Sequence, residues 1–383
     1  MTKKNIPYSR QWVDDADIKE VVKVLKSDWL TQGPKVEEFE KAVAKYCGAK
    51  YGVAFSSGTS ALWAAYNASG IGKGDEVITT PLTFVATSNT IAMLGAKPVF
   101  VDVESDTLNI NPELIERAIT AKTKAIATVD FAGVPCDYDK ILKIAKKNKL
   151  FLIEDACHAL GTDYKDKRVG SFADITIVTF HPVKHITTGE GGVALTNNED
   201  LYNKLKILRN HGIIKKSEKG KWYYEVEKPS FNFRITDIQC ALGISQLKKI
   251  NKFLKRRREI VAEYNKAFKD IKEIILPLEK DYKKIAWYIY PIQVNKKIRE
   301  KVFNGLHKQG IGVQVHYMPL HLHPFYKKSF GYKKGDFPMA EKYYEGAMSI
   351  PLFPKMTNDD VKRVVATIKV VLKNILNDKR QDK

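Results

Sequence analysis

Apolar and polar positions along the chain alternate in two distinct rhythms. Helical periodicity runs through Asp17–Ser27 and again through Val36–Cys47. Seven short apolar runs then follow, at Tyr51–Ser56, Glu76–Thr80, Pro98–Val103, Lys124–Asp130, Leu150–Glu154, Ile175–Phe180 and Gly192–Thr196. Most lie between amphipathic stretches such as Tyr138–Lys149. Continuous apolar runs of strand length, set between helices, are strands buried on both faces. They predict an α/β fold with a mostly parallel sheet.

The character changes after residue 235. The pattern predicts one long helix from Thr236, as N-cap, to about Asp270. Strands are expected at Trp287–Val294 and Ile311–Tyr317, with a helix at Ile298–Gln309 between them and a last amphipathic helix over Asp359–Leu376. The chain of 383 residues is longer than one ordinary domain. The expected division is a large unit over residues 1–240, with an N-terminal arm, and a smaller α+β unit over residues 241–383, led by the long helix.

Composition narrows the class. No apolar stretch reaches the length of a membrane span, and the start, Met1-Thr2-Lys3-Lys4, has no apolar run behind it, so no membrane partner and no secretory signal are expected. Cys47, Cys136, Cys157 and Cys240 lack paired spacing, which fits a reducing cytoplasm and neither disulfide framework nor zinc site. The formal charge is +20. Its lysines are spread along the chain, so the plain reading is surface composition, although such a field would also steer an anionic substrate. Lys255-Arg256-Arg257-Arg258 reads as a solvated helix face rather than a nucleic-acid contact, and no nucleic-acid partner is expected. His316, His321 and His323 are close in sequence, but a metal site is not expected.

Three segments carry chemistry. In Phe55-Ser56-Ser57-Gly58-Thr59-Ser60-Ala61-Leu62 a strand ends in small hydroxylated residues and a glycine, and a helix starts at once. Free N–H groups and hydroxyls there suit an anion, though the same residues make an ordinary N-cap. In Leu150–His158 a strand ends in Glu154 and Asp155, at the edge where open α/β sheets bind ligands. A solvated loop acid is the plain alternative. In Ile175–Gly192 another buried strand leads into Lys184, set among glycine, threonine and histidine. A desolvated lysine has a lowered pKa and becomes a usable nucleophile. A phosphate cradle, a carboxylate and such a lysine together are what pyridoxal 5′-phosphate requires. Phe84 follows a strand at the same edge and suits stacking on a ring, with core packing as the alternative.

In combination these residues resemble the DegT/DnrJ/EryC1/StrS family of sugar aminotransferases. The marks are Ser57-Gly58-Thr59-Ser60-Ala61-Leu62, Thr80-Pro81 with Thr83-Phe84-Val85-Ala86-Thr87, Glu154-Asp155-Ala156, Phe180-His181 ahead of Lys184, Glu190-Gly191-Gly192, Asn232-Phe233-Arg234 and His316-Tyr317. The resemblance implies a type I aminotransferase fold with a seven-stranded sheet, and a homodimer with active sites at the interface. It implies that Lys184 holds the cofactor aldehyde, that Asp155 pairs with the ring nitrogen, and that Ser57, Gly58, Thr59 and Thr179 attend the phosphate. Asn232 would reach the neighbouring subunit's cofactor phosphate. His158 stands where the family usually has glutamine, beside the cofactor ring. Glu154–Gly161 and His181–Thr188 further resemble the family branch on the route to pseudaminic acid. That likeness implies a UDP-linked 4-keto-6-deoxy-N-acetylhexosamine as acceptor and L-glutamate as donor, with Tyr8, His316 and Tyr317 on the substrate. A different nucleotide keto sugar, a pyridoxamine-dependent dehydratase and a non-catalytic regulator are the competing readings. Dehydratases of the family replace the lysine with histidine, and intact Lys184, Asp155 and Thr59 argue against lost catalysis.

Overall fold

The computed structural model describes residues 5–277 and 284–381, without side chains for residues 378–381. All seven apolar runs are strands: β1 (Tyr51–Phe55), β2 (Glu76–Thr79), β3 (Lys97–Phe100), β4 (Thr123–Val129), β5 (Phe151–Asp155), β6 (Ile175–Thr179) and β7 (Gly192–Thr196). They form one sheet in the order β1-β7-β6-β5-β4-β2-β3. Every neighbouring pair is parallel except those of β7, which runs against both β1 and β6. The strands are buried almost throughout, because helices cover both faces.

Register brings three chemically loaded strand ends together. Gly192 opposes Phe55 on one side and Thr179 on the other. A Cβ at Gly192 would lie 2.7 Å from the backbone of Gly58, so a glycine is required for the β1 end to close onto β6. On the next pair, Asp155 aligns with Ile177 and with Val129.

The helices at Asp15–Leu25, Pro34–Cys47 and Tyr138–Asn148 agree with their periodicity to within two residues. Thr236 is an N-cap, as its sequence predicts, and closes a capping box with Gln239. The single long helix is a correction, because the chain forms two: Asp237–Leu247 and Ile250–Phe268. Lys249, the N-cap of the second helix, has φ −102° and ψ −3°, and its amine pairs with Asp14 and Asp17 at the start of the N-terminal helix. Beyond it, Ile274–Ile275, Tyr290–Val294 and Ala347–Ile350 form a three-stranded antiparallel sheet with helices Lys296–Lys308 and Asn358–Gln381.

Two further expectations fail here. Ile311–Tyr317 is not a strand. Its backbone makes isolated bridges, Ile311 to Ile6 and Gln314 to Ser349, and its apolar residues pack between the N-terminal arm and the small sheet. The basic run at 255–258 is not one solvated face either. Lys255 is exposed, but Arg257 is wholly buried among Phe253, Leu254, Ile260 and Val261 on the apolar side of its helix. All four cysteines are free. No helix among the described residues is long and apolar enough to cross a membrane.

Candidate active site

The strand ends open into a cavity of about 680 Å³. Tyr8, Ser57, Gly58, Thr59, Phe84, Asp155, His158, Thr179, Lys184, His316 and Tyr317 all line it. Asn232 does not; it is exposed, bridges to Asn210, and its side chain accepts from the Arg234 N–H at 3.2 Å. A second cavity of about 810 Å³ lies elsewhere, lined by residues such as Gln32, Glu40, Arg209 and Arg234, and contains none of the sequence-predicted site residues.

The cradle and the N-cap are the same structure. Ser57 caps the helix Gly58–Ala68, accepting from the Ser60 N–H at 3.1 Å while the Ser60 hydroxyl accepts from the Ser57 N–H at 3.0 Å. That leaves Gly58 and Thr59 as the first helical residues, whose N–H groups have no intrahelical acceptor. A Cβ at Gly58 would meet Thr179 Cβ and Oγ1 at 2.9 Å, so only glycine lets the turn lie this close to β6. The Thr179 hydroxyl donates to the Gly191 carbonyl at 3.1 Å, which leaves its oxygen lone pairs facing the turn.

Asp155 is no solvated loop acid. It is buried, and its two oxygens accept from the Thr87 hydroxyl at 2.7 Å and the Cys157 N–H at 3.2 Å. Thr87 is itself bonded to Thr83 at 2.9 Å, so a buried hydroxyl chain orients the carboxylate. Lys184 sits half-buried on the loop after β6. Its amine lies 4.2 Å from the ring centre of Tyr288, and no carboxylate among the described residues pairs with it. Burial pulls its pKa below the usual lysine range, opposed by Cys157 and Asp155.

An aromatic wall completes the cavity. Phe84 is 54 % exposed, which rules out core packing, and its ring stands 6.0 Å from Tyr317. The Tyr317 hydroxyl meets His158 Nε2 at 3.2 Å, and the His158 ring lies 4.2 Å from that of Tyr288. Burial, with the Lys184 charge behind it, holds His158 well below the usual imidazole range, so the ring is neutral. Its Nδ1 is buried without a partner among the described residues. His316 bonds Ser349 at 2.9 Å and faces the Tyr8 ring at 5.6 Å, while His321 pairs with Glu341. Sequence reasoning missed Tyr288, Thr87 and Cys157. Tyr288 precedes the strand that begins at Tyr290, and nothing in its local pattern marks it as facing a cavity.

A capped helix start, an oriented carboxylate and a lysine without a carboxylate partner among the described residues stand together at one edge of a mostly parallel α/β sheet, and similarity to known proteins places this architecture among aminotransferases. Solved aminotransferases share the fold: Helicobacter pylori PseC, an aminotransferase involved in the biosynthesis of pseudoaminic acid, matches with a TM-score of 0.91 and 35% identity over 97% of this chain and 100% of that one. The PLP-form of the putative sugar aminotransferase Spr1654 from Streptococcus pneumoniae matches with a TM-score of 0.91 and 33% identity over 97% of this chain and 99% of that one. The chain belongs to the DegT/DnrJ/EryC1/StrS aminotransferase family, whose model matches residues 11–369. It is 48% identical to an uncharacterized protein of Methanocaldococcus jannaschii, over 96% of this chain and 97% of that one. It is 44% identical to the spore coat polysaccharide biosynthesis protein SpsC of Bacillus subtilis, over 96% and 97%. The UDP-4-amino-4,6-dideoxy-N-acetyl-beta-L-altrosamine transaminase of Campylobacter jejuni is 42% identical over 97% and 98%.

Proposed function

We propose that this chain is a pyridoxal-phosphate-dependent nucleotide-sugar aminotransferase. In this reading it moves the amino group of L-glutamate to C4 of a UDP-linked 4-keto-6-deoxy-N-acetylhexosamine. The product is UDP-4-amino-4,6-dideoxy-N-acetyl-β-L-altrosamine, a step toward pseudaminic acid. The observation that carries it is the Lys184 amine, which no carboxylate among the described residues pairs with, facing the same cavity as Asp155 and the Ser57–Ser60 turn.

The residues present fit the cofactor. The N–H groups of Gly58 and Thr59 and the Ser57 and Thr179 side chains suit its phosphate. The Thr87-oriented Asp155 carboxylate suits a protonated ring nitrogen, and the exposed Phe84 ring and neutral His158 suit the ring's surroundings. Bound pyridoxal phosphate supplies an electron sink for the pair left when an amino donor loses its α-proton. Lys184 Nζ would hold the cofactor aldehyde and would be freed when an amino donor takes its place. The freed, low-pKa amine then takes the donor's α-proton and redelivers it, as base and then acid. In the second half-reaction the same amine delivers a proton to sugar C4. Asp155 keeps its proton partner in place through both halves. Tyr8 and His316 contact the nucleotide sugar at the cavity mouth, with Tyr8 stacking on uracil, and Tyr317 borders the reacting carbon. In a homodimer, Asn232 serves the partner subunit's cofactor phosphate.

The C. jejuni transaminase and H. pylori PseC support this acceptor. A second reading, another nucleotide keto sugar, is favoured by the comparable similarity of the spore coat polysaccharide protein SpsC. Incubation with L-glutamate and a panel of UDP- and dTDP-linked 4-keto sugars, with product structure by NMR, tests both. Amination at C4 of the UDP-N-acetylhexosamine is the expected result. Turnover confined to another sugar would refute the acceptor, and no turnover with any would refute the reaction.

A further inference from the structure

Arg257 is a buried charge that the proposed reaction does not use. It is 0 % exposed, and no carboxylate among the described residues pairs with it. A buried, unpaired cation is costly and persists only where dipoles replace water around it. Here those dipoles are backbone carbonyls. Nη1 donates to Tyr288 at 3.0 Å and to Leu352 at 2.9 Å, with a longer contact of 3.5 Å to Trp287. Nη2 reaches the Lys184 carbonyl at 3.5 Å, and Nε has no partner among the described residues. Burial lowers its pKa only to about 10, so it stays charged at neutral pH.

Three of these four acceptors belong to the candidate site or lie one step from it. Tyr288 presents its ring to the Lys184 amine at 4.2 Å and to His158 at 4.2 Å. The Leu352 N–H donates to the carbonyl of Tyr8, which lines the same cavity, at 3.0 Å. Lys184 itself is the third. Three cavity-lining residues from three separate parts of the chain therefore hang on one planar, five-donor group. Ordinary packing would be served equally by an apolar residue on this helix face.

We propose that Arg257 is a positioning residue for Lys184: its guanidinium fixes the Tyr288 backbone, and through the Tyr288 ring the place of the lysine amine. The proposal rests on Lys184 being the cofactor-holding lysine. It differs from a purely structural staple in one respect: the orientation of the bound cofactor, and not merely the stability of the fold, must depend on Arg257.

The test uses the full-length holoprotein in four forms: wild type, Arg257→Met, Arg257→Lys and Arg256→Met. Arg256 lies on the same helix and bonds Met356 and Asn358 instead. Visible circular dichroism of the bound cofactor reports orientation, and stopped-flow bleaching by L-glutamate reports the first half-reaction. Arg257→Met is expected to halve the dichroic band roughly and to cut the limiting rate about tenfold, with half-saturating glutamate changed less than about twofold. Arg257→Lys keeps the charge and one bond and should fall between, and Arg256→Met should match wild type. An unchanged band and rate in Arg257→Met would overturn the proposal, as would an equal loss in Arg256→Met. Should Arg257→Met fail to fold, Tyr288→Leu with Arg257 intact decides: it must reproduce both losses, and wild-type behaviour overturns the proposal. Failure of the underlying reading looks different, because wild type itself would then show no cofactor band.

Discussion

Thr87→Val removes one hydroxyl and little else. The Thr87 side chain is fully buried, donates to Asp155 Oδ2 at 2.7 Å and bonds Thr83 at 2.9 Å. Valine has nearly the same shape, so no cavity opens, but a buried carboxylate oxygen loses its donor. A hydrogen bond to a charged group is worth about 1.5–3 kcal/mol, which is the expected loss of stability. The effect on cofactor binding is smaller, because the bond is already present before the cofactor arrives. Asp155 keeps the Cys157 N–H, and binding must only re-fix a carboxylate that valine has released. Ordering one such side chain costs about 0.5–1.5 kcal/mol, so affinity should fall roughly two- to twelvefold. Equilibrium titration of apoprotein with pyridoxal phosphate, followed by absorbance, measures it, and Thr87→Ser, which restores the hydroxyl, should return most of the loss. If Thr87→Val loses stability but binds cofactor as wild type does, Thr87 supports the fold and does not orient Asp155, and the reasoning fails.

Other substitutions probe other parts of the account. Gly58→Ala places a methyl 2.9 Å from Thr179, and overpacking of this kind costs about 1–3 kcal/mol. Retention of cofactor on dialysis should fall clearly below wild type, and full retention would show that the turn does not hold the phosphate. His185 is buried beside Lys184, and burial, then the Arg257 charge, push its imidazole down to about 3 despite its bond to the Ala286 carbonyl. A folded pKa lowered below the unfolded value means that the unfolded chain gains a proton the folded one refuses. Stability from this group is therefore full above about pH 6.5 and drains away as pH falls toward 3. His185→Asn should lose about 1–2 kcal/mol less than wild type between pH 7 and 5 in chemical denaturation, and parallel losses would contradict this. Arg209 pairs with the buried carboxylate of Glu40, so Arg209→Met should destabilise by about 3–5 kcal/mol and Glu40→Gln by less. A thermal shift near zero for Arg209→Met would count against an ion pair that matters.

The strands were the most legible part of the fold, and the reason is physical. Strands covered on both faces are apolar along most of their length, and Ile175–Thr179 or Phe151–Asp155 cannot be mistaken for surface. The chemistry at their ends was legible too, since Asp155 closes one such run and Lys184 lies on the loop just beyond another. Misreadings arose where burial has another cause. Ile311–Tyr317 is apolar because it is sandwiched, with only isolated bridges along it. The break at Lys248–Lys249 was hidden because polar residues continue the helical period across it. Arg257 was the instructive miss. Ile250, Phe253, Leu254, Ile260, Val261 and Tyr264 mark an apolar face, and position 257 falls on it. The periodicity held that signal, and three neighbouring basic residues masked it. Tyr288 could not be read at all, because its role depends on chain segments far apart in sequence meeting at Lys184.

The central claim is that Lys184 carries the cofactor. Borohydride reduction of the holoprotein locks the cofactor onto whichever lysine holds it, and peptide mapping by mass spectrometry then locates it. One modified residue, Lys184, is expected, with loss of the label in Lys184→Ala. Label on another of the chain's lysines, or stoichiometric label surviving in Lys184→Ala, would contradict it.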